Sequence, residues 1–561
     1  MTGPTTHAVP GDDSRPAHAW AGREYTDRLA LCPTISELLA QRAHRAGADP
    51  YLSFRGADGA ATTVTYGDTF ELGRRLAAWA RRELSARPGD VFALAPVNEL
   101  RSVTAVFGLL LAGCSILSVN PADPAGRILR QTEALGARAM LRAPDTPADD
   151  LVPWTLLPDP RELPGTDDTW TGPVLDPAAD ALYFGTSGST AASKLVAQSH
   201  YNGAVNAEAL RRHHGLGPGD RVLGCLPIHH VNGLHFSIFG VLAAGAHGIL
   251  LSGFDPFAYP GLLTEYQVRI ASLVPSILET LLETWRAPRL PPPFEYFVSA
   301  AAPLAQSTAR AVHDRWGVRI LQGYGLTETT NFSTTMPRGL SEATYQALML
   351  DSDIPSVGTA LYGNEVAVIR ADGRRAEPGE TGEICMRGHN VMSRYQGNPD
   401  ATAQAFAGGW FHSQDLGYEI CEPETGLRFV VITGRAKNIA KVRGETVSLE
   451  EMERALGALP SVRDAACVAA PDRFLGEVVV AAVVAPGETT DAMLLDHLRR
   501  FFDPVVLPVR CVRMATIPRT ATGKIIRPKL QELLAVTADR PGADKEANAG
   551  ICVQPSEFDE I

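Results

Sequence analysis

The chain has 561 residues, of which 45% are hydrophobic and 20% charged, and a formal net charge of −12. That length exceeds what one hydrophobic core serves, so two or more domains are expected, and the composition is that of a globular protein. The acidic balance argues against nucleic acid or an anionic membrane as the main partner, since either would need a basic face.

In chain order, residues 1–25 read as a loose leader, rich in Pro, Gly, Asp and His at its start and lacking the apolar centre of a signal peptide. The spacing of Thr34–Ala43 predicts a helix, Thr63–Tyr66 alternates like a strand, and Asp90–Ala95 reads as a buried strand. Val103–Val119 is interrupted by Gly108 and Gly113, which suits a buried helix running into a strand better than a membrane span. Phe107–Ser118 is echoed loosely by Phe239–Ser252, and two such helix-Gly-strand units predict a duplicated βα layout with a ligand crevice. The eight cysteines are widely separated, with no C-x-x-C pair, and are expected to be reduced core thiols of a cytoplasmic protein.

The stretch Phe184-Gly-Thr-Ser-Gly-Ser-Thr-Ala-Ala-Ser-Lys194 follows an apolar run and crowds hydroxyls and glycines into a tight loop. Glycines let backbone N–H groups turn onto an anion, while Thr186, Ser187, Ser189, Thr190 and Lys194 supply further donors and one positive charge around Gly188. Composition alone also fits an ordinary Ser/Gly surface turn. The TSGST core followed by Lys194 resembles the phosphate-binding loop of the adenylate-forming superfamily, and is closest in pattern to the acyl-CoA and aryl-CoA synthetases. Ala191, Ser193 and Leu195 depart from the Gly, Pro and Gly usual in that family, and stiffen or reshape the loop.

Further matches follow in order. Leu226-Pro-Ile-His-His-Val-Asn-Gly233 contains His230, which resembles the histidine that lines the family's carboxylate site; Val231 stands where amino-acid-activating relatives have an aspartate. Ser299-Ala-Ala-Ala-Pro-Leu304 occupies the family's Gly-Gly-Ala-Pro-Leu turn, so Ala300 and Ala301 add methyl groups to the substrate wall and point to a short or planar acid. In Gln322-Gly-Tyr-Gly-Leu-Thr-Glu-Thr-Thr330, Gly323 and Gly325 give the backbone room, Tyr324 offers a flat face to adenine, Thr327 a hydroxyl to phosphate, and Glu328 an oxygen to Mg²⁺. The resemblance implies Thr190 as a second metal contact, and Asn232, His235, Ala300, Gly323 and Thr329 as the substrate pocket.

In Gly409–Gly417, Asp415 resembles the aspartate that accepts both ribose hydroxyls. Within Gly434–Gly444, Arg435 is expected to reach ribose or phosphate, and Lys437 falls on the family's hinge position. Lys524, in Pro518-Arg-Thr-Ala-Thr-Gly-Lys-Ile-Ile-Arg527, matches the family's catalytic lysine; attack of one anion on another needs a mobile cation at the junction.

The resemblance therefore implies an α/β fold: a large multi-sheet N-terminal domain over 26–436 with duplicated halves, a small mobile α+β lid over 437–536, and a disordered tail at 537–561. It implies ATP with Mg²⁺, a small or aromatic carboxylic acid in specialised metabolism, and CoA as acceptor, in a monomer or homodimer with no membrane insertion. Two other acceptors stay open: a free-standing acyl carrier protein, or a non-thiol acceptor with an unusual oxyanion, as in nitrite-activating diazotases.

Overall fold

The structure, a computed structural model, describes residues 16–147, 149–166, 172–186, 194–443, 445–472, 475–520 and 523–536. It divides into two compact units, one of Met1–Ala367, Cys385–Ser413 and Ile420–Val430, the other of Val368–Ile384, Gln414–Glu419 and Val431–Ile561. The second unit thus begins before 437 and takes in two earlier segments.

Among the described residues, the first unit holds two large sheets. The nine-stranded sheet runs Thr359–Ala360, Thr334–Thr335, Arg319–Tyr324, Tyr296–Ser299, Ile270–Leu273, Arg221–Gly224, His247–Leu251, Pro50–Arg55, Ala61–Thr65. The seven-stranded sheet runs Arg394–Gln396, Leu195–Ser199, Asp180–Gly185, Ser115–Ser118, Val91–Ala95, Met140–Arg142, Trp154–Leu156. One core draws on both: Phe92, Ile116 and Phe184 from the second sheet, Leu223, Ile249 and Phe297 from the first, and Leu39, Phe107 and Phe239 from helical segments.

Local sequence explains the element ends. Thr34 caps the helix Ile35–Ala46 by accepting from the Glu37 N–H at 3.1 Å. The strand expected over Thr63–Tyr66 stops at Thr65, because Thr65 and Asp68 form a capping box that starts the helix Tyr66–Glu83. The run 103–119 is the helix Leu100–Leu111 followed by the strand Ser115–Ser118, with Gly113 between them at φ +78°. Its echo passes through Gly245, at φ +68°, into the strand His247–Leu251. Each echoed strand enters a different sheet, as a duplicated layout requires.

Two expectations are corrected. Residues 16–25 are not a loose leader: Ala17 and His18 are buried, His18 Nε2 lies 2.9 Å from the Met392 carbonyl, and the Tyr25 hydroxyl is 2.6 Å from Ser199 Oγ. Of the described cysteines, Cys114, Cys225, Cys385, Cys467 and Cys511 are buried, but Cys32 is only half-buried and Cys421 is exposed. No helix of the described residues is long and apolar enough to cross a membrane.

Among the described residues of the second unit, a five-stranded sheet runs Glu445–Ser448, Ile439–Val442, Gly476–Val484, Asp464–Asp472, with Arg510–Arg513 paired to Gly476–Val484. Alternation along the paired long strands sends Cys467, Val479 and Ala481 into one cluster with Met452 and Leu494, and Val468, Val480 and Ala482 into another with Leu530. A strand apolar on both faces is the pattern of a sheet covered on both sides.

Candidate active site

The loop after Phe184 leaves the strand Asp180–Gly185 and returns into Leu195–Ser199; the two strands are antiparallel, with Gly185 opposite Leu195. Thr186 N–H donates to the Lys194 carbonyl at 2.9 Å, and Arg127 Nη2 donates to the Thr186 carbonyl at 3.0 Å, so both ends of the loop are pinned. Ser187, Gly188, Ser189 and Thr190, with the departures Ala191 and Ser193, lie outside the described residues. Strand Arg394–Gln396 pairs antiparallel with Leu195–Ala197 and sets Tyr395 opposite Val196. The Lys194 ammonium lies 4.4 Å from the Tyr395 ring centroid, within cation–π range.

The same phenol donates to Glu328 Oε1 at 2.8 Å; burial, and then the carboxylate, push its pKa up, which keeps it a donor. Glu328 belongs to the single turn Thr327–Thr329, whose successive carbonyls are each bonded to a donor from another segment. Gln198 Nε2 donates to Thr327 O at 2.8 Å, Met392 N–H to Glu328 O at 2.7 Å, and Asn390 Nδ2 to Thr329 O at 3.1 Å. Tyr324 ends the strand Arg319–Tyr324 and is only 9% exposed. At Gly325 a side chain would force the backbone to move: a Cβ would stand 1.7 Å from the Asn331 carbonyl oxygen. At Gly323 the added atom would meet Thr335 Oγ1 at 3.1 Å.

His230 precedes a nine-residue π-helix, Asn232–Gly240, every residue of which is buried. Runs of this kind are rare and concentrate at functional sites, because the wider turn re-aims side chains. Asn232 is buried with both amide atoms lacking a partner among the described residues. His235 is fully buried and joins Gln198 through Nε2 at 2.9 Å. Ala300 packs into the core, while Ala301 takes φ +73°, the left-handed region where a methyl is strained and glycine is at ease.

In the second unit, Asp415 lies buried on the strand Phe411–Cys421 with Oδ1 2.7 Å from Arg435 Nε. Lys437 is exposed in the turn between Arg428–Arg435 and Ile439–Val442. Lys524 is exposed on a turn closed by Thr520 N–H to its carbonyl at 2.8 Å and by its own N–H to Thr520 Oγ1 at 3.1 Å. Sequence reasoning named Asp415 and Arg435 separately and missed their pairing. It also missed Gln198 and Asn390; an amide in the otherwise apolar strand Leu195-Val-Ala-Gln was the available signal for the first.

Burial lowers the pKa of His200 to about 4 and of His235 to about 3. Folded values below the unfolded one mean stability that is present above pH about 6.5 and is lost as pH falls toward the folded values. Unfolding free energy from urea titration is therefore expected to drop by about 2 kcal/mol per such histidine between pH 6.5 and 5. A flat profile would refute this.

Comparison with known proteins identifies the family. The chain is 32% identical over 374 residues to the sulfoacetate–CoA ligase of Cupriavidus necator, covering 66% of this chain and 70% of that protein. It is 28% identical to the 2-succinylbenzoate–CoA ligase of Geobacillus kaustophilus, over 85% of this chain and 94% of the relative. In structure it is similar to the o-succinylbenzoate CoA synthetase of Bacillus subtilis, solved with its acyl-adenylate intermediate, at a TM-score of 0.77 and 25% identity, covering 88% of this chain and 97% of that one. With the AMP-binding enzyme profile matching residues 39–396 and the AMP-binding enzyme C-terminal domain profile matching 451–524, the chain belongs to the AMP-binding enzyme family of adenylate-forming enzymes.

Proposed function

We propose that this ATP-dependent, AMP-forming acid–CoA ligase acts on a small or planar carboxylic acid. An oxygen of the acid attacks the α-phosphorus of ATP; the new C(O)–O–P bond forms as the bond to the β-phosphate breaks and pyrophosphate leaves. A thiol then attacks the acyl carbon, and AMP departs as the thioester forms.

The observation that carries the reading is the tethered turn Thr327–Thr329, in which the Tyr395 hydroxyl fixes one oxygen of Glu328 and so orients the other. A carboxylate oxygen on a clamped turn suits Mg²⁺, which travels with ATP and neutralises phosphate charge as pyrophosphate leaves. In this reading Thr186, the Ser187–Thr190 loop and Lys194 hold phosphates, Thr190 adds a metal contact, and Tyr324, Gly325 and Ala301 border the adenine. Asp415 and Arg435 take the ribose, His230 serves the carboxylate, Lys524 bridges carboxylate and α-phosphate, and the lid turns about Lys437. The preference for a small acid is supported by Ala300 and Ala301, whose methyl groups occupy positions that are glycines in the family's usual turn.

Pyrophosphate release across a panel of acids, with and without CoA, tests the reading. AMP is expected to accumulate, short-chain and aryl acids to outpace palmitate, and CoA to be consumed; ADP as product, or a preference for palmitate, would overturn it. A carrier protein outperforming CoA would reassign the acceptor.

A further inference from the structure

Gln198 lies in the strand Leu195–Ser199, fully buried after the apolar run Leu195-Val-Ala. A buried amide is costly unless its donor and acceptor are matched. Here both are. The Thr327 carbonyl can only accept, so the amide nitrogen must be the group 2.8 Å away, and the amide oxygen then faces His235 Nε2 at 2.9 Å. That orientation requires the His235 proton to sit on Nε2. Within the strand, Val196 and Gln198 share a face, and Tyr395, opposite Val196, shares it too. One face of the sheet therefore meets the Thr-Glu turn twice, through Gln198 at the Thr327 carbonyl and through Tyr395 at the Glu328 carboxylate.

We propose that Gln198 is a positioning residue that ties the π-helix histidine His235 to the Thr327–Thr329 turn and thereby sets how tightly that turn receives Mg·ATP. This rests on reading the turn as part of the nucleotide site. Glu328 and Thr329 have their carbonyls bonded from the 390–392 segment, so Gln198 is what holds the first residue of the turn to the strand leaving the phosphate loop. His235 acts through it: its single proton fixes which way the amide faces.

The test is calorimetric titration of Mg·ATP into the full-length parent and into Gln198→Met, Gln198→Glu, His235→Phe and the Gln198→Met/His235→Phe double variant, with thermal unfolding of each. Gln198→Met is expected to weaken binding about tenfold. Gln198→Glu, nearly isosteric and so a safeguard should the methionine variant fold poorly, can donate only while protonated. Its affinity is expected to fall between pH 7 and 9 where the parent stays level, a response that lost packing would not produce. The double variant is expected to bind no more weakly than Gln198→Met alone. Parent-like binding by Gln198→Met, whatever its melting temperature, overturns the proposal, as does simple multiplication of the two single effects. A parent that binds no Mg·ATP overturns the nucleotide reading of the turn, and this inference with it.

Discussion

Replacing Lys524 with alanine is expected to slow acyl-adenylate formation about 10²- to 10³-fold, the usual effect of removing one charge-stabilising donor from a transition state. When a carboxylate attacks a triphosphate, two anions are pressed together and charge shifts onto the α-phosphoryl oxygens and the leaving pyrophosphate, so a cation at that junction is worth most at the top of the barrier. The substitution leaves the fold intact, because the turn that presents Lys524 is closed by backbone groups and Thr520, and the side chain is exposed. Thioester formation from preformed acyl-adenylate, assayed separately, is expected to change less than about tenfold, since no new anion–anion contact forms there. Lys524→Arg is expected to recover only part of the lost rate, because a planar fork does not replace a compact ammonium. An alanine variant forming adenylate at the parent's rate would remove Lys524 from the chemistry.

The second large effect is expected at Gly325. A Cβ there would stand 1.7 Å from a backbone oxygen, that of Asn331, so the chain itself would have to move. Overpacking of this kind costs about 3 kcal/mol or more, and a shift of about an ångström at reacting groups commonly costs about a hundredfold in rate. Gly325→Ala should therefore melt at a lower temperature and bind Mg·ATP poorly. Gly323→Ala, whose nearest contact would be the Thr335 hydroxyl at 3.1 Å, should be milder on both counts. Equal behaviour of the two variants would show that contact with the Asn331 carbonyl is not what requires glycine.

The fold was legible wherever one local rule acted alone. Hydrophobic runs over Asp90–Ala95 and 103–119 gave strands and a helix, and the echo between Phe107–Ser118 and Phe239–Ser252 anticipated strands in two sheets. Where two rules competed, periodicity lost. Thr63–Tyr66 alternates, yet the Thr65–Asp68 capping box takes Tyr66 into a helix. The leader reads as loose by composition, but His18 and Tyr25 find partners at Met392 and Ser199, far along the chain, which no local pattern reveals. The same limit applies to the site. Motifs singled out Thr327, Glu328, Asp415 and Arg435 as candidates, while the bonds that hold the turn come from Gln198, Asn390, Met392 and Tyr395, and no spacing rule links these to it.

Ala301 carries a broader consequence. A left-handed alanine has far fewer alternative conformations than a glycine at the same point, so the turn it occupies cannot easily widen to admit an ill-fitting guest. In the proposed reading, where this turn walls the acid site, it discriminates by refusal rather than by adjustment. Turnover across a graded series of homologous acids should end abruptly at a size limit instead of tapering off.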